Sequence, residues 1–318
     1  MPGTKHATVV LPLARNGDQF PPVSVRHRRW LARSRLSRSA PGELLSQVLP
    51  LLAAPTPPHG FGALRLWGQT GTRPEGWLAA ADPVFLEARL DHVVLHRLDE
   101  AELDDGEVAG IFDYLQENLG AGTDSFTGVG KFGYVHRHHP MEVAQASPAV
   151  AQGNSPEEFL PTGEQARAHD RLQGEVQMCL YESPVNRRRA DAGKPPVNGL
   201  WMWGGGATPA LSSMPLPPLY ADEPLFKGFW LGASAVAADW PGDLDTCLEL
   251  SPNGFVAVLP EFAAADAGGQ VDTHLAVLRR MLQRGRLRAV TLVTGGGLQV
   301  KIDRWSALRL WRRKLTLP

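Results

Sequence analysis

The chain has 318 residues, of which 43% are hydrophobic, and its formal net charge is −1. That length and composition suit one large α/β domain, or a core domain that carries a smaller inserted one. A charge so close to zero creates no overall field for nucleic acid or a membrane, so such a partner would need a local patch. Two cysteines, Cys179 and Cys247, support neither a disulfide framework nor a structural zinc site. No stretch approaches the roughly 18 apolar residues of a membrane span and no signal peptide is recognisable, so we expect a cytoplasmic protein without a membrane partner.

The N-terminal part of the chain predicts a buried strand, an arginine-rich stretch and a short helix. Residues 7–13 (ATVVLPL) are typical of a first buried strand. Residues 26–38 (RHRRWLARSRLSR) carry six arginines. These arginines suit nucleic acid or an acidic partner, or else cover a solvated surface helix, and the pattern leaves both interpretations open. The short helix is predicted at residues 43–53.

A clear helix is predicted in the middle of the chain. Asp104 or Asp105 can cap its start and Gly120 can end it. Its apolar face, at helical spacing, consists of Val108, Ile111, Phe112, Leu115 and Leu119. Strand-like segments surround it at residues 77–86, 91–95 and within 125–139.

The second half of the chain alternates helices with strands. Thr162 and Gln165 fit a capping box for a helix over residues 162–182, which Pro184 stops. The later elements are strands at 199–203, 254–259, 288–294 and 298–302, and helices at 272–284 and 303–314. This alternation favours an α/β fold with a mainly parallel sheet flanked by helices.

Residues 181–206 (YESPVNRRRADAGKPPVNGLWMWGGG) form the most unusual stretch of the chain. The sequence predicts a basic turn, a proline pair, a buried strand and a turn at Gly204, Gly205 and Gly206. Arginine forks and glycine N–H groups in such a loop could hold a phosphate or a carboxylate. The other interpretation is a solvated basic loop before a tight turn, and the residues alone favour it.

The same stretch resembles the archaeal-type cofactor-independent phosphoglycerate mutases, with their pattern HPVN, basic residues, G-x-P-P-x-N, apolar strand and G-x-G. Residues 220–232 (YADEPLFKGFWLG) resemble that family's segment around a lysine–glycine pair. From Trp77 onward, the chain more closely resembles a bacterial family of RpfE-type regulatory proteins. That second resemblance rests on residues 81–86, 161–163, 183–206, 221–228 and 291–313.

The resemblance implies an alkaline-phosphatase-like α/β fold with a smaller inserted domain. We expect residues 1–76 and 197–318 to build the core domain and residues 77–196 to build the insert. The N-terminal 70 residues match these families weakly.

The mutases of this type use two metal ions, and the three ligand segments that the resemblance implies all depart from the pattern here. Residues 11–18 (LPLARNGD) have no acid directly after the strand, and Asp18 is the nearest. Residues 264–272 (AADAGGQVD) keep Asp266, but Gly269 or Gln270 takes the histidine position. Residues 294–298 (TGGGL) lack both the aspartate and the histidine. We therefore expect no catalytic residue, no metal ligand and no cofactor.

These departures favour a regulatory, non-catalytic mutase-like protein that binds a small phosphorylated or carboxylated ligand. The expected ligand-binding residues are Arg187, Arg188, Arg189, Lys194, Asn198, Gly204, Gly205, Gly206 and Lys227. One alternative is an active phosphoglycerate mutase or other metal-dependent phosphotransferase whose ligands come from other positions. A weaker alternative is a nucleic-acid-binding regulator that uses residues 26–38.

Three further features have simpler structural explanations. His136, His138 and His139 suit a solvated strand end better than a metal site, since no carboxylate or cysteine accompanies them at ligand spacing. Asp82 suits a helix or turn cap. The tryptophans and basic residues within 305–314 suit core packing better than a membrane-surface helix.

Overall fold

The structure is a computed structural model that describes residues 5–12, 23–39, 42–90, 92–98, 103–120, 124–152, 155–262 and 266–304. The predicted helix at 303–314 and the segment after the first strand therefore lie largely outside the described residues. The strands are β1 (His6–Leu11), β2 (Arg35–Arg38), β3 (Trp77–Ala88), β4 (Val93–Arg97), β5 (Asp124–Val129), β6 (Phe132–Arg137), β7 (Gly199–Ala207), β8 (Leu219–Tyr220), β9 (Ala237–Ala238), β10 (Gly254–Val258), β11 (Ala289–Thr294) and β12 (Leu298–Asp303). The α-helices are α1 (Val25–Leu31), α2 (Leu44–Val48), α3 (Phe61–Thr70), α4 (Asp105–Leu119), α5 (Pro148–Ala151), α6 (Ala166–Tyr181), α7 (Pro184–Asp191), α8 (Pro224–Gly232), α9 (Leu244–Leu250) and α10 (Ala267–Gln283).

The chain divides into two compact units. The core unit comprises Met1–Thr56 and Ser212–Pro318, and the inserted unit comprises Pro57–Leu211. The inserted unit is thus wider than the range 77–196 suggested by the sequence. No helix among the described residues is long and apolar enough to cross a membrane.

The core unit is built on a seven-stranded sheet with the order β2-β12-β11-β1-β10-β8-β9. The strands from β11 to β9 run parallel, whereas β12 and β2 extend that edge in antiparallel pairing. The mainly parallel α/β sheet predicted from the sequence is therefore confirmed. β1 lies near its middle, and its residues from Ala7 to Leu11 are all buried, which is typical of a parallel strand covered on both faces. Leu275, Leu278 and Leu282 of α10 share its hydrophobic core.

The inserted unit is built on an antiparallel sheet. The order is β4-β3-β6-β5, and β7 also pairs with β3. Helix α4 begins as predicted, because Asp104 and Glu107 form a capping box, and it ends before Gly120. Its apolar face packs with Leu172, Val176 and Leu180 of α6 in one core.

Several local predictions were wrong. Thr162 does not cap α6 through its side chain, because Gly163 has a left-handed φ of +69° and a 3₁₀ turn precedes the helix. Helix α6 does end before Pro184, but the predicted basic turn is helix α7, and Pro184 occupies its first turn, where the missing N–H costs nothing. The glycines 204–206 do not form a turn but lie within β7, where Gly206 pairs with Leu78 and the register with β3 shifts at the other two. Asp82 is no cap and lies inside β3.

Candidate functional site

The three predicted ligand arginines lie on helix α7 and differ in exposure. Arg187 and Arg188 are exposed, and neither forms an ion pair within the described residues. Arg189 is only 1% exposed. The helix therefore presents two arginines to solvent and buries the third.

Arg189 is held by protein groups on several sides. Its Nη1 lies 3.0 and 3.1 Å from the two carboxylate oxygens of Glu107, and its Nε donates to the carbonyl of Pro195 at 2.8 Å. Lys194 Nζ lies 3.7 Å from the same carboxylate. Since Glu107 also belongs to the capping box of α4, this ion pair joins α7 to the start of α4. Removal of one partner from such a buried pair would leave an uncompensated charge, which is strongly destabilising.

The asparagines of the stretch bind backbone. Asn186 Nδ2 donates to the carbonyls of Leu180 and Val197, both at 2.7 Å. Asn198 accepts from the N–H of Leu86 at 2.7 Å and donates to its carbonyl at 2.9 Å. These bonds fix the chain on its way into β7.

The glycines of β7 permit close packing against the start of α3. Gly204 has a φ of +61°, and a Cβ built there would lie 2.9 Å from the Cβ of Phe61. A Cβ on Gly206 would lie 2.8 Å from the backbone nitrogen of Gly60, whose N–H donates to Gly205 at 3.2 Å. The glycines therefore let β7 pack closely against the start of α3, which the sequence did not predict.

Lys227, the last predicted ligand residue, belongs to helix α8 of the core unit. Its Nζ lies 2.5 Å from Asp239 Oδ1. The nine predicted residues thus belong to two units, and a shared pocket stays a prediction. Among the five positively charged residues of this set, Arg187 and Arg188 are the two without an ion-pair partner in the described part of the chain.

Trp203 contributes to a buried polar network in the inserted unit. Its indole N–H donates to Asp82 at 2.7 Å. The same carboxylate binds Arg65, which is 3% exposed and lies 4.5 to 5.3 Å from the rings of Phe132, Tyr134 and Trp203. Burial disfavours the charge of Arg65, but Asp82 and Tyr134 raise its pKa above the ordinary value. This network explains why Asp82 lies inside a strand.

Of the expected metal-ligand segments, residues 294–298 and the part of 264–272 from Asp266 onward lie among the described residues, after β11 and β10. Asp266 stands at the N-cap position of α10, where its Oδ2 accepts from Gln270 Nε2 at 3.2 Å. After β11, the N–H of Gly297 donates to the carbonyl of Thr294 at 3.0 Å and closes a tight turn into β12. Of the third segment, residues 11–18, positions 13–18 lie outside the described residues.

Titratable side chains of α1 and α10 make contacts of their own. His27 Nδ1 lies 2.7 Å from Asp272 Oδ1, which also accepts from the N–H of Ser24. Burial works against the charge of Asp272, yet these hydrogen bonds keep its pKa below the ordinary value. His274 stacks on Phe262, and burial lowers its pKa. No group of three His, Cys, Asp or Glu side chains among the described residues is placed to hold a metal ion.

The histidines near β6 have individual contacts. His136 Nε2 lies 3.0 Å from the carbonyl of Glu75, and the rings of His138 and His139 meet edge to face.

Comparison with known proteins finds similarity to phosphoglycerate mutases. A stretch of 96 residues, 29% of this chain, is 35% identical to the probable 2,3-bisphosphoglycerate-independent phosphoglycerate mutase of Geobacter sulfurreducens and covers 24% of it. A stretch of 68 residues, 21% of this chain, is 37% identical to the 2,3-bisphosphoglycerate-independent phosphoglycerate mutase of Methanosarcina barkeri and covers 17% of it. The matches thus span about a quarter or less of these curated relatives. No protein-family model matches the chain.

Two solved structures resemble the chain over most of its length. The cofactor-independent phosphoglycerate mutase of Thermoplasma acidophilum is 17% identical, with a TM-score of 0.45 over 96% of this chain and 95% of that one. The PH0037 protein of Pyrococcus horikoshii is 14% identical, with a TM-score of 0.51 over 93% of this chain and 87% of that one. The second likeness concerns the fold alone. The chain is therefore a mixed α/β protein with partial similarity to cofactor-independent phosphoglycerate mutases.

Proposed function

We propose that this chain is a regulatory protein of the RpfE type, which does not catalyse phosphoryl transfer and binds a small phosphorylated or carboxylated ligand. The observation that carries the proposal is the set of residues after β10 and β11. In those segments the mutase pattern has acids and histidines, whereas this chain keeps Asp266 and Asp272, has Gly269 or Gln270 at the histidine position, and has a glycine turn after β11.

The chemistry explains why these substitutions matter. Two-metal phosphoryl transfer needs ions close together on carboxylate and imidazole ligands, so that both the attacking and the leaving oxygen are stabilised. Asp266 and Asp272 are too few ligands for two ions, and Asp272 already contacts His27 and the N–H of Ser24. Backbone glycines supply no anionic ligand. A residual ligand set would have to come mainly from residues 13–22, in which Asp18 is the one acid.

The ligand-binding half of the proposal rests on α7. Arg187 and Arg188 are adjacent, exposed and without an ion-pair partner among the described residues. Guanidinium groups bind phosphate and carboxylate through paired N–H donors. In this proposal Arg189, Asn186 and Asn198 support the helix and the chain around it through their hydrogen bonds.

Metal content and turnover, measured on one preparation, test the proposal. The protein is purified after growth with added manganese and zinc, analysed by elemental mass spectrometry, and assayed for conversion of 3-phosphoglycerate to 2-phosphoglycerate. The Geobacter relative serves as a parallel positive control. We expect metal well below one ion per chain and no turnover above the blank. Stoichiometric metal together with turnover would establish the second candidate, an active mutase, which the 35% identity to a protein of that name favours.

A further inference from the structure

A cavity of about 480 Å³ lies in the core unit between helices α1 and α10. It is lined by Val25, Arg26, Arg29, Trp30, Arg33 and Arg279. Four of these six residues are arginines and no lining residue is acidic. A cavity of this size can accept a small molecule.

The positive charge of the cavity is poorly compensated by the protein. Arg26, Arg29 and Arg279 form no salt bridge within the described part of the chain. Burial and the charge of Arg26 both lower the pKa of Arg279. Arg279 Nη1 is buried without a hydrogen-bond partner among the described residues, a state that is rare and costly for a charged donor. A bound anion would satisfy these donors and offset the repulsion.

Contacts between α1 and α10 hold the walls of the cavity in place without a ligand. Asp272 of α10 accepts from the N–H of Ser24, which precedes α1, and lies 2.7 Å from His27 of α1. Arg279 lies over Trp30, with its guanidinium carbon 5.9 Å from the ring centroid. These contacts hold the two helices, and so the arginines on them, in a defined arrangement.

We propose that this cavity binds the oligophosphate group of a small molecule. Several guanidinium groups on one cavity carry more positive charge than a single phosphate dianion neutralises, whereas a di- or triphosphate matches them and offers acceptors to each fork. Trp30 is only 5% exposed, so its ring offers no open face for a planar group. Recognition therefore rests on the phosphates. The site is independent of α7 and of the proposed regulatory role.

Binding of inorganic tripolyphosphate, measured by titration calorimetry at fixed ionic strength, tests the site. The cavity variants are Arg26→Gln, Arg29→Gln and Arg279→Gln. The matched control is Arg28→Gln, which removes the same charge from an exposed position of the same helix that does not line the cavity. We expect each cavity variant to bind at least about tenfold more weakly than wild type, and the control to stay within about twofold.

Several results would overturn the proposal. These are an absence of tripolyphosphate binding at millimolar concentration, equal weakening in all four variants, or binding of orthophosphate as tight as that of tripolyphosphate. A DNA duplex that displaces tripolyphosphate, and whose own binding falls equally in Arg28→Gln, would instead make this face a nucleic-acid surface. If Arg279→Gln alters the circular dichroism spectrum, the exposed Arg26 and Arg29 variants decide the question.

Discussion

The buried ion pair between Arg189 and Glu107 provides a test of whether Arg189 stabilises the fold or binds a ligand. Replacement of Arg189 by methionine removes the contacts at 3.0 and 3.1 Å to Glu107 and the hydrogen bond to Pro195. The side chain of Glu107 is 15% exposed, and Lys194 remains 3.7 Å away as a partial substitute. Loss of one partner from a buried pair costs about 3–5 kcal/mol, and these two features favour the lower end, about 3 kcal/mol.

The assay must show where in the chain the stability is lost, because the two units need not unfold together. Urea unfolding gives the overall change, and hydrogen exchange on peptides from α4 and α7 shows whether protection falls there. Arg187→Ala is the control, an exposed change on the same helix that we expect to stay within about 0.5 kcal/mol. An Arg189→Met protein as stable as this control, with unchanged exchange in α4 and α7, would refute the structural role. It would return Arg189 to the candidate ligand residues.

Three other positions yield predictions about stability. Arg65→Met should cost about 3–5 kcal/mol in urea unfolding because it leaves Asp82 partly buried without its cation, and adding Asp82→Asn should recover part of that loss. Gly204→Ala should destabilise by about 1–3 kcal/mol, since φ is +61° and the new Cβ would lie 2.9 Å from that of Phe61, whereas Gly174→Ala, with open space in α6, should be neutral or stabilising. Because the pKa of Asp272 is lowered in the folded state, its contribution is present above its unfolded pKa of about 3.9 and is lost as pH falls through the lower folded value. Melting curves should therefore show wild type and Asp272→Asn differing above about pH 4 and converging below it, and a constant difference down to pH 2 would contradict this.

The sequence was sufficient for elements whose signal is local. Helix α4 carries a capping box, an apolar row at helical spacing and a terminal glycine, and its predicted bounds agree with Asp105–Leu119. The apolar runs of β1, β10 and β11 likewise predicted buried strands, and burial in the sheet is what such runs require. Local chemistry and tertiary packing favour the same state in these segments.

The sequence was insufficient where residues far apart in the chain determine the local structure. Ser-Pro-Val-Asn suggested a stop and a loop, but Ser183 caps a new helix by accepting from Val185, and Arg189 anchors that helix to Glu107, 82 positions earlier. Three consecutive glycines suggested a turn, but they continue β7, and Gly206 pairs with Leu78 of β3. In the core unit, Arg279 follows Leu275 by four positions on α10, so helical spacing placed it beside the apolar row. Its proximity to the arginines of α1 depends on the packing of the two helices.

The presence of Asp266 in a chain without the other metal ligands has an electrostatic explanation. A two-metal site gathers several carboxylates that repel one another unless cations lie between them. A chain that no longer binds those cations is therefore more stable with most of the acids replaced. A single carboxylate at a helix N-terminus is different, because it interacts favourably with the helix dipole without any metal. Asp266 occupies such a position at the start of α10 and accepts a hydrogen bond from Gln270. Its presence is thus explained by the helix it begins, and it does not by itself argue for a retained metal site.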